Sequence, residues 1–374
     1  MLMTKIQSIR SIRVSLPFET GGPRHGMRPS LDAWTKMECV MVRIKTSDGL
    51  EGWGEAFGHA MAPGSEAVIN QILAPMLVGR DSVAINHRIA ELERPLHGLG
   101  RSGPLMYALS AIDTALWDLA AQRAHLPLYK FLGGESGVLT KYASLMRYGG
   151  DTDAVAQNVE RARSYGFRTI KLHETTIPAF RAARNAVELD DKICLDVNCP
   201  WTVAEAREVA QEISEEGFHW LEEPIWPPED FEGLAEVRLE GVPISAGENI
   251  TTLHEFKLAM ETEAIDNLQP SVTKCGGISK MRKIISLAEV YPVTVIPHCF
   301  YWGPGYHATA HLAASCLTPT PLETAFITFA VEPHKLFNSR SDQLTLDDTP
   351  GLGFIANWDE LDKFIISTDE VNAS

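Results

Sequence analysis

From residue 140 the chain repeats one phrase: a short apolar run, a turn, then an amphipathic stretch of helical period. The runs are KYASL (141–145), TIKLH (169–173), ICLDVN (193–198), HWLEEP (219–224), PISAGE (243–248), DNLQPSV (266–272), VTVIPH (293–298) and PLETAF (321–326). Stretches such as AEAREVAQEISEEG (204–217) carry the helical pattern between them. Polar residues close successive runs at near-even positions: 171, 196, 222, 248, 271, 298 and 323. Strands alternating with helices imply a parallel α/β sheet, and eight of them at an even beat imply a closed (β/α)8, TIM-like barrel. An open doubly wound sheet is the alternative. It would bring consecutive strand ends together less well.

Before residue 133 the texture differs. Residues 4–16 alternate apolar and polar with one slip, and ECVMVRIKTSDG (38–49) followed by LEGWGEAFG reads as a meander with Asp48-Gly49 at its hairpin. A polar, Gly- and Pro-rich loop, 19–30, separates the first two strands. Helical patterns dominate 65–130, clearest in MYALSAIDTALWDLAAQRA (106–124), and Pro127 with Gly133-Gly134 signals a boundary. The expected organisation is an α+β domain over 1–133, the barrel over 134–340, and a segment over 341–374 that returns to the first domain.

Three of the strand-closing residues are acids one barrel unit apart: Asp196, Glu222 and Glu248, with 222 − 196 = 26 and 248 − 222 = 26. Strand ends of a parallel barrel crowd one mouth. Three acids there need a cation between them, and oxygen-only ligands favour a hard ion such as Mg²⁺. Taken singly, each would be an ordinary strand-end charge. Cys194 and Cys199 flank one of these strand ends, but the neighbouring carboxylates suit a hard ion better than a soft one.

Bulk properties narrow the partners. The chain has 374 residues, a 45% hydrophobic and 22% charged composition, and a net charge of −16. That charge argues against nucleic acid or an anionic membrane, and no apolar run reaches a membrane-spanning length. It does not exclude an anionic substrate, because a bound cation reverses the local field. The six cysteines form no CxxC pair, and MLMTKIQSIRSIRVSL is no signal peptide, so a reducing cytoplasm is expected. The expected partners are a small carboxylate substrate and further copies of the same chain.

The stretch LDVN…LEEP (195–224), preceded by ALSAIDTALWDLAAQRAHLPLYKFLGG, resembles the two signatures of the enolase superfamily in its mandelate racemase/muconate lactonizing branch. The resemblance covers nearly the whole chain. It implies an α+β capping domain over a modified (β/α)7β barrel, one essential Mg²⁺, and a carboxylate substrate whose α-proton is removed to give an enediolate. Carried over by position, Asp196, Glu222 and Glu248 are the metal ligands, and Glu223 is expected to point away on the pleat. Asn198 is a supporting or substrate hydrogen bond, and Lys274 a lysine beside the metal acids. Glu323 would bond the substrate carboxylate when protonated.

Lys171 and His173 lie two apart, on one face of a strand. The family usually has Lys-x-Lys here, so His173 is expected as the base and Lys171 as a carboxylate contact; the alternative makes Lys171 the base. His298 matches a family histidine that pairs with an aspartate, but that position is Ser271, which can orient an imidazole only weakly. Arg24, His25 and Arg28 in the 19–30 loop, with Phe57 and His59, are expected to close over substrate, and Tyr301 and Trp302 to wall the pocket or to pack. His307 and His311, four apart, read as a helix face, and Gly276-Gly277 lacks the context of a phosphate loop.

These residues together point to Mg²⁺-dependent abstraction of the α-proton of a hydroxy-carboxylate followed by loss of a β-hydroxyl, the chemistry of an acid-sugar dehydratase. A racemase, epimerase or cycloisomerase in the same site is the second reading. A barrel that binds ligand without turnover is the third.

Overall fold

The structure, a computed structural model, describes residues 4–26, 32–317 and 320–373. Strands β1 (Ile6–Glu19), β2 (Lys36–Thr46) and β3 (Glu51–Ala56) form the expected antiparallel meander. Gly49 supplies the positive φ of its hairpin, +85°. Five helices follow: α1 (Ala62–Val68), α2 (Ala74–Leu77), α3 (Ile85–Leu96), α4 (Pro104–Arg123) and α5 (Leu128–Phe131).

Helix α4 is buried almost all round because it lies between the meander and the barrel. Its approach to β3 explains the spacing in EGWGEAFG. A Cβ on Gly52 would stand 2.3 Å from the Ala115 carbonyl oxygen, and one on Gly54 would stand 1.9 Å from that of Ala111.

The barrel runs β4 (Val138–Ser144), α6 (Thr152–Ser164), β5 (Thr169–Leu172), α7 (Ile177–Asn185), β6 (Lys192–Asp196), α8 (Val203–Ile213), β7 (Trp220–Glu222) and α9 (Phe231–Arg238). It continues with β8 (Ile244–Ala246), α10 (Leu253–Glu261), β9 (Asn267–Leu268), α11 (Gly277–Ala288), β10 (Thr294–Val295), α12 (Pro304–Ser315) and β11 (Leu322–Ala325). The eight strands are parallel, in the order β10-β9-β8-β7-β6-β5-β4-β11, so the last pairs with the first. Eight strands enclose seven helices, the (β/α)7β form.

Strands β9 and β10 are shorter than their apolar runs. Pro270 and Pro297 lie two residues past their last strand residues and cannot donate to a ladder. Downstream, β12 (Thr328–Phe329) pairs with β1 and β13 (Gln343–Thr345) with β4. A last helix, α13 (Trp358–Leu361), precedes β14 (Ile365–Asn372), which pairs antiparallel with β1.

Gly276-Gly277 is a seat for α4. Asp113 accepts hydrogen bonds from the Ser279 backbone N–H (2.8 Å) and hydroxyl (2.5 Å), and Ser110 Oγ accepts one from the Gly276 N–H at 2.8 Å. A Cβ on Gly277 would meet Asp113 Oδ2 at 2.5 Å. No helix among the described residues is long and apolar enough to cross a membrane.

Candidate active site

The ladder β6–β7 sets Asp196 directly beside Glu222. Lys171, one pleat lower on β5, rises between them: its Nζ is 3.0 Å from Asp196 Oδ2, 3.0 Å from Glu222 Oε1 and 2.7 Å from Glu323 Oε1 on β11. All four side chains are sealed from solvent. A buried ammonium is tolerated only when paired in this way. Burial alone would lower Lys171, but Glu222, Glu323 and Asp196 carry its pKa well above the ordinary lysine value.

Burial and the adjacent Asp196 push the Glu222 carboxyl up. Even so, Lys171, Trp220 Nε1 at 3.0 Å and Gln269 Nε2 at 2.9 Å all donate to its two oxygens, an arrangement that favours the ionised form. Asp196 moves the other way. Burial opposes ionisation there, but Lys171 and His173 hold it below the usual carboxylate range.

Above this floor opens a cavity of about 440 Å³. Asp196, Asn198, Glu248, His173 and His298 face it from the barrel, while Trp34, Phe57, His59, Ala60 and Phe300 form the opposite wall with Asp32 at the rim. His173 follows the last residue of β5. Its Nδ1 lies 2.5 Å from the Leu145 carbonyl oxygen, which only accepts, so Nδ1 carries a proton and Nε2 is the nitrogen left to exchange one. That Nε2 stands 3.2 Å from Asp196 Oδ2.

His298 places Nε2 2.9 Å from Glu248 Oε2, and Lys274 Nζ is 3.2 Å from the other oxygen of Glu248 and 3.1 Å from Asn249 Oδ1. Burial works against ionising Glu248, but His298 and Lys274 hold it well below the ordinary value. The Asn198 side-chain amide donates to Asp196.

Several expectations change. Ser271 does not orient His298: its hydroxyl is 3.3 Å from Thr273 Oγ1, and His298 Nδ1 is buried with no partner. Glu323, expected to meet the substrate carboxylate when protonated, is engaged within the chain by Lys171. Burial would raise it, but Lys171 and His298 hold it below the ordinary range, and its Oε2 accepts the Cys299 N–H at 2.8 Å.

Tyr301 and Trp302 pack away from the cavity. Their polar atoms donate to the backbone oxygens of His298 (2.9 Å) and Met37 (3.3 Å), because α12 starts at Pro304 and turns them inward; Phe300 forms the wall instead. Arg24 is exposed and paired with Glu19, and His25 lays its ring over Gly149, so neither lines the cavity. Arg28 lies outside the described residues. Phe57 and His59 do line it. His307 and His311 are buried on α12, hydrogen-bonded to the Leu352 carbonyl and, for His307, next to His334.

Glu223 does not point away. Strand β7 ends one residue earlier and Glu223 takes a left-handed φ of +47°, which breaks the pleat. Its buried carboxylate accepts from Asn249 Nδ2 at 2.9 and 2.8 Å, and burial, with Glu248 and Asp196 nearby, pushes its pKa to about 8. Its place beside Glu222 in LEEP was the signal, but the turn that aims it is not written in the alternation. Trp34, a lone aromatic behind the polar loop, was missed for the same reason.

Counting the mouth, the ionised Asp196, Glu222, Glu248 and Glu323 face Lys171 and Lys274, a deficit of two positive charges when the imidazoles are neutral, and Glu223, pushed to about 8, adds a third only above that pH. Among the described residues no three His, Cys, Asp or Glu side chains form a ready-made ion cage. The acids are instead spanned by Lys171 and flanked by the two imidazoles. Carboxylate oxygens in charge excess, two of them facing the cavity, nevertheless fit a hard divalent cation.

An eight-strand parallel barrel with acids from consecutive strands at its mouth and an antiparallel cap above defines a class of two-part α/β enzymes. Residues 154–360 match the enolase C-terminal domain-like family, and residues 17–133 match the N-terminal domain of the mandelate racemase/muconate lactonizing enzymes. The chain belongs to the enolase superfamily, in that branch.

It is 29% identical to the D-galactarolactone cycloisomerase of Agrobacterium fabrum, over 94% of this chain and 95% of that one. It is 31% identical to the arabinonate dehydratase of Saccharolobus solfataricus, over 85% and 88%. Among solved structures, the L-talarate/galactarate dehydratase of Salmonella typhimurium, liganded with Mg and L-lyxarohydroxamate, superposes with a TM-score of 0.85 at 26% identity, covering 99% of this chain and 95% of that one.

Proposed function

We propose that this protein is a Mg²⁺-dependent dehydratase acting on a hydroxylated carboxylate. The observation that carries this reading is the placement of two imidazoles, His173 and His298, on one cavity. They flank Asp196 and Glu248, while Lys171 is sealed beneath and engaged by three carboxylates. Asp196, Glu222 and Glu248 would hold the ion. When bound, Mg²⁺ supplies positive charge beside the carboxylate oxygens, where negative charge grows as the α C–H bond breaks.

The chain's own residues do the rest. His173, fixed in one tautomer by Leu145, presents the Nε2 lone pair and takes the α-proton. The C–H electron pair becomes a C=C bond as the β C–O bond breaks. His298, entering the step as the imidazolium paired with Glu248, gives a proton to the leaving oxygen, which departs as water, and the enol tautomerises to a 2-keto acid. Lys171 offers no free lone pair and acts as the counter-charge that holds the floor acids together. The aromatic wall excludes water from the reacting face.

Incubation with Mg²⁺ and a panel of sugar acids in D₂O tests this reading. A metal-dependent 2-keto product is expected, and no product from any member overturns it. A cycloisomerase or epimerase is the second reading, favoured by relatives named as cycloisomerases and by two imidazoles on one cavity. Among the described residues no carboxylate partners His298 Nδ1, which ranks it lower. Deuterium uptake without loss of water would select it.

We place the enzyme in the cytoplasm, as a self-associating protein. All six thiols are free and five are buried, which suits a reducing compartment. Light scattering of the purified enzyme tests the self-association.

A further inference from the structure

The cavity has two chemically different walls, and the acid–base groups of the proposed reaction stand on only one. The carboxylate, the α-carbon and the leaving hydroxyl belong at the barrel wall, beside Asp196, Glu248 and the two imidazoles. The other wall is aromatic and continuous: it borders the reacting groups at Phe300, whose ring centroid is 5.5 Å from that of His173, and continues outward to Trp34, 5.8 Å from Phe300 and 4.5 Å from His59, with Phe57 4.7 Å from His59.

His59 carries no charge there. Burial lowers its pKa to about 3, and its Nε2 lies 3.2 Å from the Phe300 carbonyl oxygen, which it meets as a donor. One neutral acceptor, His59 Nδ1, is all the hydrogen bonding that this ring offers. Among the described residues no Lys or Arg lines the cavity. Lys274 sits over the Phe57 ring with Nζ 5.0 Å from its centroid and is spent on Glu248 and Asn249. The charged group at the far rim is an acid, Asp32.

We infer, resting on the proposed α-proton chemistry, that the substrate is a monocarboxylate whose end remote from the carboxylate is apolar, a deoxygenated carbon or a C–H face, and that sugar diacids are poor substrates. A second carboxylate would lose its water against four aromatic rings and meet Asp32 with no Lys or Arg opposite among the described residues. A remote hydroxyl would lose hydration with at most one partner. A methyl group or the C–H face of a ring would gain contact with Trp34 and Phe300. Trp34 and Asp32 are therefore the residues that set specificity at this end.

The test uses the Mg²⁺-loaded enzyme and matched six-carbon acids of each configuration: the aldarate, the aldonate and the 6-deoxyaldonate, with 2-keto product as readout. For the configuration that turns over, kcat/KM is expected to rise about tenfold or more from aldonate to 6-deoxyaldonate and to fall at least about tenfold to the aldarate. Trp34→Arg should narrow or reverse the gap between deoxyaldonate and aldarate. An aldarate turned over as well as its deoxyaldonate overturns the inference.

If no acid reacts, the dehydratase reading fails, and the cavity is read by calorimetry with hexanoate and adipate, which share chain length. Tighter binding of hexanoate that is lost in Trp34→Ala supports the apolar end. Equal affinities, or a preference for adipate, sink it.

Discussion

Lys171 shows how much one buried charge organises. Its ammonium touches carboxylates from three other strands, so replacing it with methionine removes the charge that lets those acids share one floor. Lys171→Met should destabilise the protein by about 3–5 kcal/mol, the range for breaking a buried ion pair from one side, measured by urea unfolding without added metal. His173 has the opposite profile, because its ring faces the cavity and makes one structural hydrogen bond. His173→Gln should leave the melting temperature nearly unchanged while lowering α-proton exchange roughly 10²–10⁴-fold. Equal exchange in variant and parent would exclude His173 as the base.

At the scale of elements, contact between the cap and its helix depends on hydrogen atoms where other residues carry carbon. With 1.9 Å between a Gly54 Cβ and the Ala111 carbonyl oxygen, Gly54→Ala forces β3 and α4 apart. A loss of about 1–3 kcal/mol is expected in denaturant unfolding, as for an overpacked core.

The same helix carries Asp113 into the barrel, where burial raises its carboxyl to about 7 despite the Ser279 donors. Between the ordinary carboxylate range and that value, the folded chain keeps a proton that the unfolded chain has released. This contribution to stability is therefore whole below about pH 4 and is lost as pH rises toward 7. Asp113→Asn, which keeps an acceptor for the Ser279 N–H, should remove that part of the decline. Buried neutral imidazoles such as His307, lowered by burial to about 4, act in the opposite sense below pH 6.5, so the diagnostic is the difference between the two melting curves across pH 4 to 7.

For the molecule as a whole, the governing quantity is the charge deficit at the barrel mouth. A divalent cation that binds only the folded state stabilises it by mass action, about 2.7 kcal/mol at a hundredfold excess over Kd. Mg²⁺ should raise the melting temperature of the parent and leave that of Asp196→Asn unmoved. A rise of equal size in both would place the ion elsewhere.

The barrel, its strand order and the identity of the facing acids were legible because each depends on local rules: apolar runs, helical period and the constant length of a strand-helix unit. Residues whose role depends on a turn were not legible. Glu223 looked outward by alternation until a left-handed residue redirected it, and Tyr301 and Trp302 could equally wall the pocket or pack until the start of α12 buried them. Trp34 had no pattern around it at all.

The amino-acid sequence by itself determined that eight strands carry acids to one mouth, since periodicity and spacing act along the chain. Only the tertiary structure decided which lysine is locked beneath the site, which histidines are free to meet a ligand, and that one wall of the cavity is aromatic. Those outcomes depend on distances between strands far apart in sequence, and such distances are set by packing and pairing rather than by neighbours along the backbone.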